Sequence, residues 1–71
     1  MGTIEDAEAY KAGGVFAEQV DGVVFPDGHK IPANEAVNCA SQSADILYSD
    51  KYDKGRFVAG VRGYYKRRAR R

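Results

Sequence analysis

The feature that most constrains the fold is a seam of small apolar side chains in the middle of the chain. Its members recur at helical spacing and fall on one face of a helix: Ala33, Ala36, Val37, Ala40, Ala44, Leu47 and Tyr48. Because alanine side chains are short, a second element can approach this face closely. The pattern predicts a helix over residues 33–48, entered after Pro32, with Val37 and Leu47 in the core.

The chain is short and lacks the usual covalent or metal supports. With 71 residues, one cysteine and one histidine, it can form neither an internal disulfide nor a four-ligand zinc site. A chain of this length buries only about 60–65% of the surface that its unfolded form exposes. We therefore expect one small domain over residues 1–71, without metal or cofactor. A homo-oligomer or a larger complex would add burial and is a plausible state.

The sequence also suggests a compartment. A lone Cys39 without a partner is typical of a reducing environment. The acidic first twelve residues do not resemble a signal peptide, and no apolar run approaches the roughly 18–20 residues that span a bilayer. These features predict a cytoplasmic protein with no membrane partner.

The first third of the chain predicts a helix and three strands. Thr3 can cap a short helix over residues 4–12, which Gly13-Gly14 would end. The segments 15–20, 23–25 and 29–31 have β-like composition. They are separated by Asp21-Gly22 and Pro26-Asp27-Gly28, which are turn signals. We therefore expect a three-stranded antiparallel meander.

The last third predicts a basic helix over about residues 54–68. Apolar residues in this segment fall within one arc at 100° per residue, namely Phe57, Val58, Val61, Tyr64 and Tyr65. Asp53 is a candidate cap, and Phe57 a candidate core residue. Interior glycines are unfavourable in helices, so a C-terminal strand is the alternative. Ala59, Gly60 and Gly63 would let this helix pack closely against the alanine seam.

Charge is divided sharply along the chain. Residues 1–50 carry nine acids and two bases, a net charge of −7, whereas residues 51–71 carry nine bases and one acid, a net charge of +8. Five cations lie in the last six residues, which form a basic tail over 66–71. Such a block favours a polyanion or an acidic protein surface as partner.

Two aromatic residues precede this tail and can stack on bases. The predicted site for nucleic acid or another polyanion comprises Arg62, Tyr64, Tyr65, Lys66, Arg67, Arg68, Arg70 and Arg71. DNA or RNA is the leading partner, and an acidic protein surface is the alternative.

Motifs for catalysis are weak. Gly60-Val61-Arg62-Gly63 has GXXG spacing, but too little chain follows it for a KH domain. Residues 55–60 have the outer spacing of a P-loop without its Lys and Ser/Thr. His29 lies in a turn without a nucleophile beside it, and Cys39 has no neighbouring base. We therefore expect no enzymatic activity.

Together these patterns predict an α+β domain: a short N-terminal helix, an antiparallel three-stranded meander, an Ala-faced helix and a basic C-terminal helix. The expected function is that of a small non-enzymatic accessory protein whose basic C-terminus contacts nucleic acid or another polyanion. The alternative is a protein–protein interaction module, either an assembly subunit or an inhibitor that docks on a partner protein. A viral or mobile-element origin is suggested by size alone.

Overall fold

A computed structural model describes residues 6–69, and over this range the chain forms three α-helices. Helix α1 spans Glu8–Asp21, α2 spans Ala33–Leu47 and α3 spans Lys51–Ala69. Helix α3 is central, because it packs against both α1 and α2, while α1 and α2 touch each other only slightly. The molecule is flat, measuring 43 × 28 × 15 Å.

The prediction of an α+β fold is wrong. Within residues 6–69 the only β-type pairing is one antiparallel bridge between Val24 and Lys30. The segments 23–25 and 29–31 are too short to extend it, since an isolated two-stranded hairpin is marginally stable at best. Residues 15–20, which were expected to form the first strand, belong instead to α1.

The side-chain pattern explains why residues 15–20 are helical. A half-buried strand needs one apolar face at a period of two, but this segment would place Gln19 beside Ala17 and Glu18 beside Phe16. At helical spacing, Phe16 and Ala17 lie on the inner side, and Glu18 and Gln19 are exposed. Apolar composition alone had suggested a strand, whereas the period favours the helix.

Helix α1 also continues through the glycine pair that was expected to end it. Gly13 is buried where α1 crosses α3, opposite Gly60. A Cβ added to Gly13 would overlap the carbonyl oxygen of Phe57, and one added to Gly60 would overlap that of Tyr10. The two backbones therefore meet directly, and this packing offsets the low helix propensity of glycine. The predicted Thr3 cap lies outside the described residues.

The loop between α1 and α2 contains the predicted turn at Pro26-Asp27-Gly28. The amide of Gly28 donates a hydrogen bond to the carbonyl of Phe25 at 2.8 Å, and Gly28 has a φ of +90°. Glycine tolerates this left-handed conformation without strain. By contrast, the expected Asp21-Gly22 hairpin turn is the C-terminal end of α1, where Gly22 has a right-handed helical conformation.

Helix α2 confirms the helix predicted from the alanine seam. Ala36, Ala40 and Ala44 are buried, and two of them join Phe57 and Val61 of α3 in the core. Leu47 was expected in this core but is 63% exposed. It has the same helical phase as the alanines, but it is the last residue of α2. Helical phase gives the direction of a side chain and not the presence of a neighbour opposite it.

Helix α3 confirms the C-terminal helix and begins three residues before its expected start. The Asp50 carboxylate accepts a hydrogen bond from the amide of Tyr52 at 2.7 Å, as a helix cap does. Asp53, the expected cap, instead pairs with Arg56 at 3.0 Å. Phe57 is 2% exposed, as expected for a core residue, and its ring packs against those of Phe16 and Tyr48.

Candidate nucleic-acid interface

The basic C-terminal end of α3 presents its cations on two different sides. Successive residues of a helix are rotated by about 100°, so neighbours in the sequence face different surroundings. Arg68 faces the C-terminal end of α1, where it meets Asp21. Arg67 instead lies in a groove beside Tyr10, together with Arg62 and Lys66.

Asp21 holds the first of these two sides together. Its carboxylate is buried, with 8% of the residue exposed. It accepts a hydrogen bond from the Tyr64 hydroxyl at 2.8 Å and pairs with Arg68 Nε at 3.1 Å and Lys30 Nζ at 3.7 Å. A carboxylate at a helix C-terminus is disfavoured by the helix dipole, and these partners compensate for it. We call Asp21, Lys30, Tyr64 and Arg68 the Asp21 cluster.

The Asp21 cluster changes the acidity of two tyrosines. The hydrogen bond to Asp21, then burial and the charge of that carboxylate, raise the pKa of Tyr64 above its ordinary 10.0. Burial is the main cause that raises the pKa of Tyr65 above the same value, with a further contribution from Asp21. Both groups are therefore neutral phenols at physiological pH, and Tyr64 is an ordered hydrogen-bond donor.

The second side of α3 forms an open groove of about 560 Å³ with α1. We call it the basic groove. It is lined by Tyr10, Gly55, Ala59, Arg62, Gly63, Lys66 and Arg67. Gly55, Ala59 and Gly63 recur every four residues and so form one row along α3. Because these residues are small, the surface between the cations is recessed.

Its three cations have no acidic partners within residues 6–69. The ion pairs of this range use other basic residues, namely His29, Lys30, Lys54, Arg56 and Arg68. Arg67 donates a hydrogen bond to the Tyr10 hydroxyl, at 3.4 Å. Arg62 and Lys66 are one helical turn apart, about 6 Å along the axis. Three cations without acidic partners among residues 6–69 therefore line one recess, an arrangement that favours an anionic ligand.

The residues predicted for the site consequently divide into three groups. Arg62, Lys66 and Arg67 lie together in the basic groove. Tyr64 and Arg68 bind Asp21, and Tyr65 packs edge-on against Tyr64 with its hydroxyl buried and without a hydrogen-bond partner among the described residues. Arg70 and Arg71 lie outside the described residues.

Tyr10 lines the basic groove, although the sequence did not indicate a role for this residue. It lies on α1, far from the basic tail in the sequence, and its neighbours carry no cationic pattern. Only the close crossing of Gly13 and Gly60 brings α1 near enough for its hydroxyl to reach Arg67. The one sequence signal for this approach is the Gly13-Gly14 pair, which reads equally well as a helix end.

Other reactive side chains have local roles or none that the contacts reveal. The His29 ring contacts the Asp27 carboxylate and stacks on Phe25, so it is a turn residue as expected. Cys39 is exposed on α2. Among residues 6–69, no three His, Cys, Asp or Glu side chains are grouped as metal ligands. No helix in that range is long and apolar enough to cross a bilayer.

Comparison with family models, with curated proteins and with solved structures finds no match for this chain. Its function is therefore argued from the basic groove itself.

Proposed function

We propose that this protein is a small, non-enzymatic accessory protein that binds nucleic acid through the basic groove. The observation that carries the proposal is the grouping of Arg62, Lys66 and Arg67 in one recess without carboxylate partners among the described residues. Cations that meet phosphates release condensed counterions, which favours association. We further propose that the protein acts in the cytoplasm.

The role of each residue follows from its contacts. Arg62 and Lys66 are free to reach phosphates, while Arg67 would do so from its position against Tyr10. Arg68 is already paired with Asp21, so an approaching phosphate would have to compete with a carboxylate at 3.1 Å, although Asp21 shares its single charge between Arg68 and Lys30. Phosphate contact thus depends on the groove cations first and on Arg68 little. The tail residues Arg70 and Arg71 remain predicted contacts.

A salt titration tests this proposal. Fluorescence anisotropy of a labelled oligonucleotide, measured between 50 and 200 mM salt, should show a log–log slope of about −0.7 to −0.9 for each phosphate contact. The double variant Lys66→Gln/Arg67→Gln should reduce the slope by about two contacts. Lys11→Gln/Lys51→Gln is the matched control, because it removes the same charge from exposed residues outside the groove.

The separate role of Arg68 gives a second arm. Arg68→Gln should reduce the salt slope less than the groove substitutions do, since Arg68 is paired with Asp21, and should change the free energy of unfolding little, since Arg68 is nearly half exposed. Equal loss of slope in the control and groove variants would mean that net charge alone governs binding. If the unaltered protein does not bind single- or double-stranded DNA or RNA at 50 mM salt, the proposal is wrong.

A protein partner is the second candidate function, and one observation favours it. Three large apolar side chains at the junction of α2 and α3 are well exposed, with Ile46 at 86%, Leu47 at 63% and Tyr52 at 66%. Exposed apolar clusters are typical of protein interaction sites. Affinity capture from lysate with and without nuclease separates the two functions, because a partner retained by this junction survives nuclease and is lost in Leu47→Ser.

A further inference from the structure

The basic groove contains an aromatic side chain as well as cations. Tyr10 extends from α1 over Gly63 of α3, and a Cβ at Gly63 would lie 3.4 Å from Tyr10 Cζ. The Tyr10 hydroxyl accepts a hydrogen bond from Arg67. Because Tyr10 already contacts both helices, its side chain loses little further conformational freedom when a ligand binds. Such a side chain suits an aromatic platform. The groove therefore places an aromatic side chain beside three cations.

The position of α3 argues against a binding mode in which this helix inserts into the major groove of a duplex. A recognition helix must protrude, since it enters a major groove about 12 Å wide. Helix α3 is instead the central helix, with α1 and α2 packed on it. Its exposed side is the recessed row of Gly55, Ala59 and Gly63 rather than a ridge. A recess of this kind accepts a thin, extended chain more readily than a duplex.

The row of small residues has no packing role at one of its positions. A Cβ added to Gly55 would meet nothing within 4 Å, although glycine is a poor residue inside a helix. Together with the flanking cations, the open space at Gly55 lets a sugar–phosphate backbone lie close to the helix. Proteins that bind single strands combine such a positive groove with aromatic side chains on which bases stack.

We infer that the basic groove binds single-stranded nucleic acid, with phosphates on Arg62, Lys66 and Arg67 and one base stacked on Tyr10. This inference rests on the proposed function and adds the strandedness of the ligand and the role of Tyr10. Stacking is tolerant of sequence because every base has a π-face. DNA and RNA single strands therefore bind with similar affinity, and sequence preference is weak.

The test compares a labelled single strand of thymidylates with a duplex of the same length, in the unaltered protein and in three variants. The single strand should bind more tightly. Tyr10→Leu should lower its affinity about tenfold, the effect of one stacked base, while its salt slope stays the same. Tyr10→Phe keeps the ring and should stay within about twofold. Tyr52→Leu removes an exposed tyrosine outside the groove and should have no effect.

Circular dichroism of each variant guards against a misfolded Tyr10→Leu protein, and if that variant is unfolded Tyr10→Met replaces it. A duplex that binds as tightly as the single strand, or a folded Tyr10→Leu or Tyr10→Met variant with full affinity, overturns the inference but leaves the proposed function standing. Failure of the unaltered protein to bind either probe overturns both. A Tyr10→Phe variant as weak as Tyr10→Leu would assign the effect to the hydroxyl and Arg67, and would also overturn the stacking role.

Discussion

The two sides of α3 contain the same residue types and use them in opposite ways. On the side that faces α1, Gly60 allows contact between backbones, and Arg68 pairs with a buried carboxylate. On the groove side, Gly55 faces open space, and Arg62 and Lys66 have no acidic partner among the described residues. A glycine or a cation in this helix is therefore structural or free according to its angle around the axis.

This difference shows that the basic run is not a single functional unit. Arg67 and Arg68 are adjacent in the sequence, but Arg68 pairs with Asp21, whereas Arg67 lines both the basic groove and the recess at Asp21 and has no acidic partner among the described residues. Pairing with a carboxylate removes most of the attraction of a cation for phosphate. The effective charge of the site is thus set by the elements packed around α3 as well as by its composition.

Gly60 and Gly55 are expected to give the largest difference in stability effect between the two sides of α3. Gly60→Ala should lower the free energy of unfolding by about 2–4 kcal/mol, because its Cβ would overlap the Tyr10 carbonyl oxygen and force the helices apart. Urea unfolding followed by circular dichroism measures the loss. A loss of this size is a large share of the roughly 3–5 kcal/mol that a domain this small usually has, so the variant is expected to be partly unfolded.

Gly55→Ala is the matched control on the groove side. Its Cβ meets open space, so the substitution should raise the stability by up to about 1 kcal/mol through helix propensity alone. The two alanine variants should therefore shift the urea midpoint in opposite directions. If both shift it in the same direction, the crossing of α1 and α3 does not lie at Gly60.

The Asp21 cluster gives the next effect. Asp21→Ala should lower the melting temperature, because it leaves the Tyr64 hydroxyl without its acceptor. The lost ion pairs add little, since Lys30 and Arg68 are both nearly half exposed. Glu18→Ala removes the same charge from an exposed position of α1 and should stay within about 0.5 kcal/mol. Thermal melts of both variants decide whether the cluster stabilises the fold.

Alkaline pH should weaken the same side selectively. The pKa of Tyr64 is raised in the folded protein, so the native state holds this proton more tightly than the unfolded chain does. That contribution is complete below the unfolded pKa of about 10 and is lost as pH rises through the higher native value. The urea midpoint should therefore fall above about pH 10, and less steeply in Tyr64→Phe. An identical fall in both proteins would assign it to another group, such as Tyr65, whose pKa is also raised.

Local patterns were sufficient for two of the three helices. The alanine seam defined α2, and the apolar arc through Phe57 and Val61 defined α3. Helix α1 was predicted with the wrong bounds, residues 4–12 instead of Glu8–Asp21, because its Gly13-Gly14 pair indicates a helix end by propensity but lies at a helix crossing. Gly60, which decides between these, lies in another helix. The same limit applies to Leu47, whose phase was right but which has no helix opposite it.

Of the candidate site, the sequence predicted only the positively charged residues. The sequence drew attention to Arg62, Lys66 and Arg67, which remain predicted phosphate contacts. It did not reveal that Asp21 engages Tyr64 and Arg68, because nothing near Asp21 in the chain marks it as their partner. Tyr10 was missed for the same reason. The 3.6-residue period predicts which residues of one helix share a face. Contacts between helices depend instead on where the helices cross, which no local pattern specifies.

Gly63 lies at the boundary between the two sides and should show the smallest effect. A Cβ there would meet the hydroxyl end of Tyr10 and would lie 3.2 Å from Arg67 Nη1. Both are ends of flexible side chains, so they can move while the backbones stay in place. The gain in helix propensity, up to about 1 kcal/mol, then offsets the cost of moving them. Gly63→Ala should change the free energy of unfolding by less than about 0.5 kcal/mol, measured by urea unfolding beside Gly60→Ala. A loss as large as that of Gly60→Ala would place Gly63 in the close-packed contact between α1 and α3.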